Sequence, residues 1–147
     1  WSGRFGSMDV IEKLVKNLIG KIRNNTEKIV DYESYNIDDC DVGVVSFGCT
    51  SRAVYETVEL AKEKGITVGS VRLRTIWPFP EEAVHNMTKN AKAIVVPELN
   101  MQEVFYEVER AVHGAVPVFS VNKIGGGEMI TPEELLEEIV RSVKRVD

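Results

Sequence analysis

The chain has 147 residues, 44% hydrophobic and 28% charged, the size and balance of one globular domain that buries about 68–70% of the surface its unfolded form exposes. Eighteen Lys and Arg against 23 Asp and Glu leave a formal charge of -5, and with no basic run this argues against a nucleic-acid partner. No apolar stretch reaches the roughly 18 residues of a membrane span, and no secretory signal is visible; the length also fits one piece of a larger enzyme.

Residues 1–7 fit no hydrophobic period and end in Gly-Ser before Met8. They read as an expression remnant. From Asp9 the pattern is helical: Val10, Ile11, Leu14, Val15, Leu18, Ile19 and Ile22 make one apolar stripe. Asp9 and Glu12 are spaced as a capping box. Asn24 and Asn25 weaken the helix. Residues 8–36 are therefore taken as a connecting helix and linker, and 37–147 as the domain proper. A short edge strand is expected near Tyr32–Tyr35.

A regular alternation follows. Val42–Phe47 is a nearly continuous apolar run, as in a strand buried on both faces. Ser51 is placed to cap a helix to about Lys64, and Gly65 to end it. Val68–Leu73 is the second strand of the run. Pro80 opens a short helix carrying Ala83, Val84 and Met87. Residues 93–96 form another strand, and 101–113 a helix with Val104, Phe105, Val108, Ala111 and Val112 inside. Residues 117–121 are the last strand, and Gly125, Gly126 and Gly127 a loop. Thr131, Pro132 and Glu134 combine an N-cap, a first-turn proline and a capping box. They open a final helix with Leu135, Leu136, Ile139, Val140 and Val143 inside. Strands alternating with helices at this spacing imply βαβ units: a three-layer α/β/α fold with a mostly parallel sheet.

Cys40 and Cys49 read as free thiols in a reducing cytoplasm. Zinc sites and iron–sulfur clusters take about four ligands, which two cysteines and unpaired histidines do not supply. No residue is assigned to catalysis, to a cofactor or to a metal. In open parallel sheets, ligands and partners meet the carboxyl ends of the strands, so the loops there hold the candidates. Residues 48–51 form a strand-to-helix turn without a glycine fingerprint. Arg72 and Arg74 share one side of their strand and run into Thr75-Ile76-Trp77-Pro78-Phe79-Pro80, a stiff aromatic corner. Such arginines suit a carboxylate, a phosphate or an acidic partner, or pair with local acids. Glu98 ends a strand, with Asn100 close behind. It reads as a general base or as a structural pair. His85 and His113 lie on helices without partners at ligand spacing.

In order along the chain, Val44-Val45-Ser46-Phe47-Gly48, Gly69-Ser70-Val71-Arg72-Leu73-Arg74-Thr75-Ile76-Trp77-Pro78-Phe79-Pro80, Val95-Val96-Pro97-Glu98-Leu99-Asn100, and Asn122-Lys123-Ile124-Gly125-Gly126 followed by Thr131-Pro132-Glu133-Glu134 resemble the carboxyl-terminal part of the alpha subunit of 2-oxoacid:ferredoxin oxidoreductases. The resemblance covers roughly residues 8–147. It implies a transketolase C-terminal-domain-like fold with one antiparallel strand. It also implies a complex that oxidatively decarboxylates a 2-oxoacid to an acyl-coenzyme A, using thiamine diphosphate, magnesium and iron–sulfur clusters and reducing ferredoxin. The loop from Gly125 to Glu134 looks more like the 2-oxoglutarate branch than the pyruvate branch. The family commonly continues Glu-x-Asn with x-Gly-Gln, whereas here Met101 precedes Gln102 and Glu103.

In such a complex the cofactor contacts belong to a preceding pyrimidine-binding domain and a beta subunit. This chain is then a non-catalytic assembly domain, inactive alone and without a tightly bound cofactor. Arg72, Arg74, Trp77, Glu98 and Asn100 become candidate interface or binding residues. Two alternatives remain: the C-terminal domain of another thiamine-diphosphate enzyme, or a small nucleotide- or coenzyme A-binding module using residues 48–51 and 72–74.

Overall fold

The computed structural model describes residues 8–146; the expectation for residues 1–7 lies outside them. In chain order the elements are α1 (Met8–Arg23), α2 (Thr26–Ile29), β1 (Tyr32–Tyr35), β2 (Val42–Phe47), α3 (Ser51–Glu63), β3 (Val68–Leu73), α4 (Glu81–Met87), β4 (Ala93–Glu98), α5 (Glu103–Val112), β5 (Val118–Asn122) and α6 (Pro132–Val146). One five-stranded sheet runs β1-β3-β2-β4-β5. All its neighbours are parallel except β1, which pairs antiparallel with β3, Glu33 opposite Arg72. The expected edge strand and the three-layer α/β/α architecture are both present.

Side chains alternate across a strand, so each strand feeds two cores. Val42, Val44, Val68 and Val95 pack with Val54, Ala61, Leu135 and Ile139, beneath α3 and α6. Val45, Val71, Leu73, Ile94 and Val96 pack with Val84, Met87, Val104 and Val108, beneath α4 and α5. Both layers need β2 and β4 apolar on both faces, which is why these two strands read as continuous hydrophobic runs.

Two glycines set the spacing of the α4/α5 layer. A Cβ on Gly43 would collide with Met87 Cε, the far end of a flexible side chain. A Cβ on Gly69 would stand 2.6 Å from the backbone oxygen of Asn36 and 2.7 Å from Cys40 Sγ. Gly69 thus lets the loop before β2 lie directly on β3, where backbone cannot step aside.

Local signals are largely obeyed. Gly65 has φ +74, and its amide donates to Lys62 O at 3.0 Å while that of Ile66 donates to Ala61 O at 3.1 Å. This is the paired bonding of a Schellman stop. Thr131 N donates to Glu134 Oε2 at 2.9 Å, and Glu134 N to Thr131 Oγ1 at 3.3 Å, the reciprocal bonds of a capping box.

Two expectations are corrected. Asp9 is not a cap, because α1 already includes Met8 and places Asp9 in its first turn. Glu12 instead pairs with Lys16, one turn on. Ser51 is also not a side-chain cap: a 3-10 turn over Gly48–Thr50 carries the chain into α3. The Ser51 hydroxyl bonds that of Ser46 at 3.1 Å, inside the protein. A second hydroxyl within reach on β2 satisfies it better than the helix end does.

Candidate docking surface at the carboxyl rim of the sheet

The strand order reverses between β2 and β4. β2 is followed by β3 on one side, and the chain then crosses to β4 on the other. Register runs from Val42↔Ala93 only to Val44↔Val95, so beyond Val44 the two strand ends are unpaired with each other. The loops after β2 and β4 flank this switch point, where an open α/β sheet presents its crevice.

Arg72 and Arg74 are turned toward local acids. Arg72 Nη1 donates to Glu33 Oε2 at 3.2 Å and to Tyr55 Oη at 3.2 Å. Arg74 Nη2 pairs with Glu33 Oε1, and its Nη1 reaches Asp31 Oδ1 at 3.4 Å. The amides of Arg74 and Thr75 both donate to Asp31 O at 3.0 Å, and Thr75 Oγ1 accepts from the amide of Asp31 at 2.9 Å. Of the two sequence readings for these arginines, local pairing is the one observed. They fasten β1 to β3 across a half-exposed edge, where solvent screens each ion pair and leaves it weak. Partial burial raises the Glu33 carboxyl, but Arg74 and Arg72 outweigh it and hold the pKa below the ordinary 4.5.

Glu98 is fully buried. Its Oε1 accepts from the amide of Val104 at 2.8 Å and its Oε2 from that of Phe105 at 2.9 Å. A carboxylate at a helix amino terminus satisfies orphan donors and the dipole together. Glu98 therefore serves as the remote cap of α5, and its exposure is too small for a general base facing solvent. Asn100 supports the same turn: its Oδ1 accepts from the amide of Glu103 at 3.3 Å, and its backbone oxygen accepts from Asn122 Nδ2 at 3.1 Å.

Gln102 has φ 70, a left-handed conformation that costs a side-chain-bearing residue about 1–2 kcal/mol. Its Nε2 donates to Ser120 Oγ at 2.7 Å, which offsets part of that cost.

The rim itself is apolar and exposed. Trp77 is 67% exposed, Met101 73%, Ile124 66% and Met129 45%. They lie on the loops after β3, after β4 and between β5 and α6. Trp77, which precedes a cis proline, also borders a cleft of about 430 Å³ lined by Ile22, Phe79, Glu81, Glu107 and Arg110. Sequence inspection missed Met101, Ile124 and Met129, since isolated apolar residues in loops make no periodic signal. It also missed Glu33 and Tyr55, whose role needs the register of β1 on β3. The two cysteines are free, Cys40 buried and Cys49 exposed, and burial pushes the Cys40 thiol up to about 11.

Residues 40–135 match the family described as pyruvate:ferredoxin oxidoreductase core domain II. The chain belongs to that family. The 2-oxoglutarate synthase subunit KorA of Methanothermobacter marburgensis is 40% identical over 129 residues, 88% of this chain and 34% of that subunit. The ketoisovalerate oxidoreductase subunit VorB of Methanothermobacter thermautotrophicus is 30% identical, over 92% of this chain and 38% of that subunit. This core domain II thus spans about a third of the length of the curated relatives it matches. Among solved structures, the 2-oxoglutarate:ferredoxin oxidoreductase from Magnetococcus marinus, with 2-oxoglutarate, coenzyme A and succinyl-CoA bound, superposes with TM-score 0.74 at 20% identity. That match covers 93% of this chain and 24% of the other. A split-gene transketolase, an inactive beta4 tetramer, superposes with TM-score 0.67 at 16% identity, over 78% of this chain and 42% of the other. Both establish the transketolase C-terminal-like fold.

Replacing Glu98 by Ala strips the buried amide of Val104 and the part-buried amide of Phe105 of their acceptor, and should lower stability by about 3 kcal/mol in urea unfolding. A change under about 0.5 kcal/mol would show that the carboxylate does not hold α5. Because its folded pKa is depressed, the Glu33 contribution is complete above about pH 4.5 and disappears as pH falls through the folded value. In thermal melts, the stability gap between the wild type and Glu33→Gln should be constant from about pH 5.5 to 7, a unit above the ordinary 4.5 and beyond, and close under acid. A gap that widens under acid would contradict the assignment.

Proposed function

We propose that this core domain II comes from the alpha subunit of a cytoplasmic 2-oxoacid:ferredoxin oxidoreductase of the 2-oxoglutarate type. Its part there is assembly, not chemistry. The substrate class is supported by the relatives: those named 2-oxoglutarate synthase subunits reach 40–41% identity, against 30% for the ketoisovalerate subunit and 28% for a pyruvate synthase subunit. The complex would decarboxylate the 2-oxoacid oxidatively, transfer the acyl group to coenzyme A and pass electrons to ferredoxin. Thiamine diphosphate with magnesium and the iron–sulfur clusters supply that chemistry in the family.

The described residues do not make a ligand set for a metal ion or an iron–sulfur cluster. Among the described residues, no three of His, Cys, Asp or Glu gather as ligands. Cys40 and Cys49 lie at opposite ends of β2, which at about 3.3 Å per residue separates them by roughly 20 Å. On this reading the cofactors are held by the preceding pyrimidine-binding domain of the same subunit and by the beta subunit. Trp77, with the apolar rim around it, is the surface those parts cover.

The observation that carries the assembly role is the rim itself: large apolar side chains exposed on three separate loops at one end of the sheet, a pattern that marks interaction surfaces. The rival reading, a coenzyme or nucleotide module using Arg72 and Arg74, is disfavoured because Glu33 and Asp31 already occupy both guanidiniums.

Trp77→Ala should weaken co-purification with separately supplied pyrimidine-binding domain and beta subunit by about tenfold or more, as for an interface anchor. It should move unfolding stability by no more than about 0.5 kcal/mol, as for an exposed side chain. Equal losses in both measurements, or none in binding, would overturn the docking role.

A further inference from the structure

The docking rim includes one segment whose own backbone does not fix its shape. Between β5 and α6, Ile124 and Met129 stand 66% and 45% exposed, at the two ends of a loop that runs through Gly125, Gly126 and Gly127. These glycines hold φ of 73, 72 and 71, a region that side-chain-bearing residues avoid. A Cβ on any of them would meet nothing within 4 Å, so no neighbouring atoms confine them. Glycine also loses more conformational freedom on ordering than any other residue. Among the described residues, no backbone–backbone hydrogen bond involves residues 124–129.

One side chain ties this loop down. Lys123 Nζ donates to Met129 O at 2.9 Å and pairs with Glu134 Oε1 at 2.9 Å, with Glu128 Oε2 3.9 Å away. The ammonium therefore joins the start of the loop to its last residue. Both of its supports are fixed. The Lys123 amide donates to Glu98 O at 3.1 Å, which roots the residue on the end of β4. Glu134 is held by its reciprocal bonds with Thr131 at the start of α6. The Thr131 amide and, after it, Lys123 keep the Glu134 carboxyl below its ordinary 4.5. The Lys123 side chain is 23% exposed, against 41–56% for the paired Arg72, Arg74, Arg110, Arg141 and Arg145, so solvent screens its contacts less.

We propose that Lys123 is a positioning residue of the docking rim: its ammonium closes the glycine loop in advance and presents Ile124 and Met129 to the partner. A loop left open would have to be ordered at the moment of docking, and that entropy is subtracted from affinity. The inference rests on the docking role proposed above. It adds a clamp that is observable in the chain by itself, so the two fail differently.

NMR order parameters of the three glycine amides in the 147-residue chain test the clamp without a partner. They should stand at about 0.8 or above in the wild type and fall below about 0.6 in Lys123→Met. The melting temperature should drop by no more than about 3 °C. The same variant should weaken co-purification with the pyrimidine-binding domain and beta subunit by about tenfold, the ordering cost of roughly one residue. Arg141→Met, which removes ion pairs with Glu137 and Glu138 on α6, should change neither property. In a Cys49→Ser background, Lys123→Cys should behave like Lys123→Met. Alkylating its thiol with 2-bromoethylamine, which rebuilds an ammonium at about the length of lysine while Cys40 stays buried, should recover both properties. Glycines already mobile in the wild type, or equally rigid without the ammonium, would overturn the proposal. So would a loosened loop that docks as well as before, or an alkylation that recovers nothing. Wild-type chain that captures neither partner would overturn the docking role itself, and this use of the clamp with it.

Discussion

Strands β2 and β4 must be apolar on both faces because each lies between two helical layers, and that double burial organises the rest of the domain. Val42 and Val44 send their side chains under α3 and α6, while Val45 sends its own under α4 and α5. The chain can cover both faces only by reversing direction across the sheet, from β3 on one side of β2 to β4 on the other. The same reversal separates the carboxyl ends of β2 and β4, since their pairing stops at Val44 and Val95. One hydrophobic constraint therefore fixes the cores, the crossover, and the end of the sheet on which loops collect.

The polar residues at that end serve mainly to hold the loops in place. Glu98 has the strand-end place of a general base, yet it is enclosed and committed to two amides of α5. Arg72 and Arg74 have the form of an anion site, yet Glu33 and Asp31 take them up and lash the antiparallel edge strand to the sheet. With these groups spent on structure, what the rim offers outward is apolar: Trp77, Met101, Ile124 and Met129. Such a surface is suited to being covered by protein.

Much of the fold was legible in the sequence because it depends on short-range periods. The alternation of Val42–Phe47 with a helix ended by Gly65, and the set Thr131, Pro132 and Glu134, are local signals, and the structure obeys them. The misread details turn on partners that lie outside the residue's own helix or strand. Ser51 looks like a cap until Ser46 is seen across from it, and Glu98 looks exposed until α5 folds back over it. The choice between partner and local acid for Arg72 needed the pairing of Glu33 with it across β1 and β3. The rim residues are scattered through loops, where no period exists to reveal that three connections converge on one surface.

The central claim is that this core domain II folds around its own two cores and contributes surface, while cofactor chemistry resides in other parts of the complex. Calorimetric titration of the isolated chain with thiamine diphosphate and magnesium tests this most directly. The account predicts no saturable heat up to millimolar ligand. Stoichiometric binding with a dissociation constant in the micromolar range, about -8 kcal/mol, would contradict it.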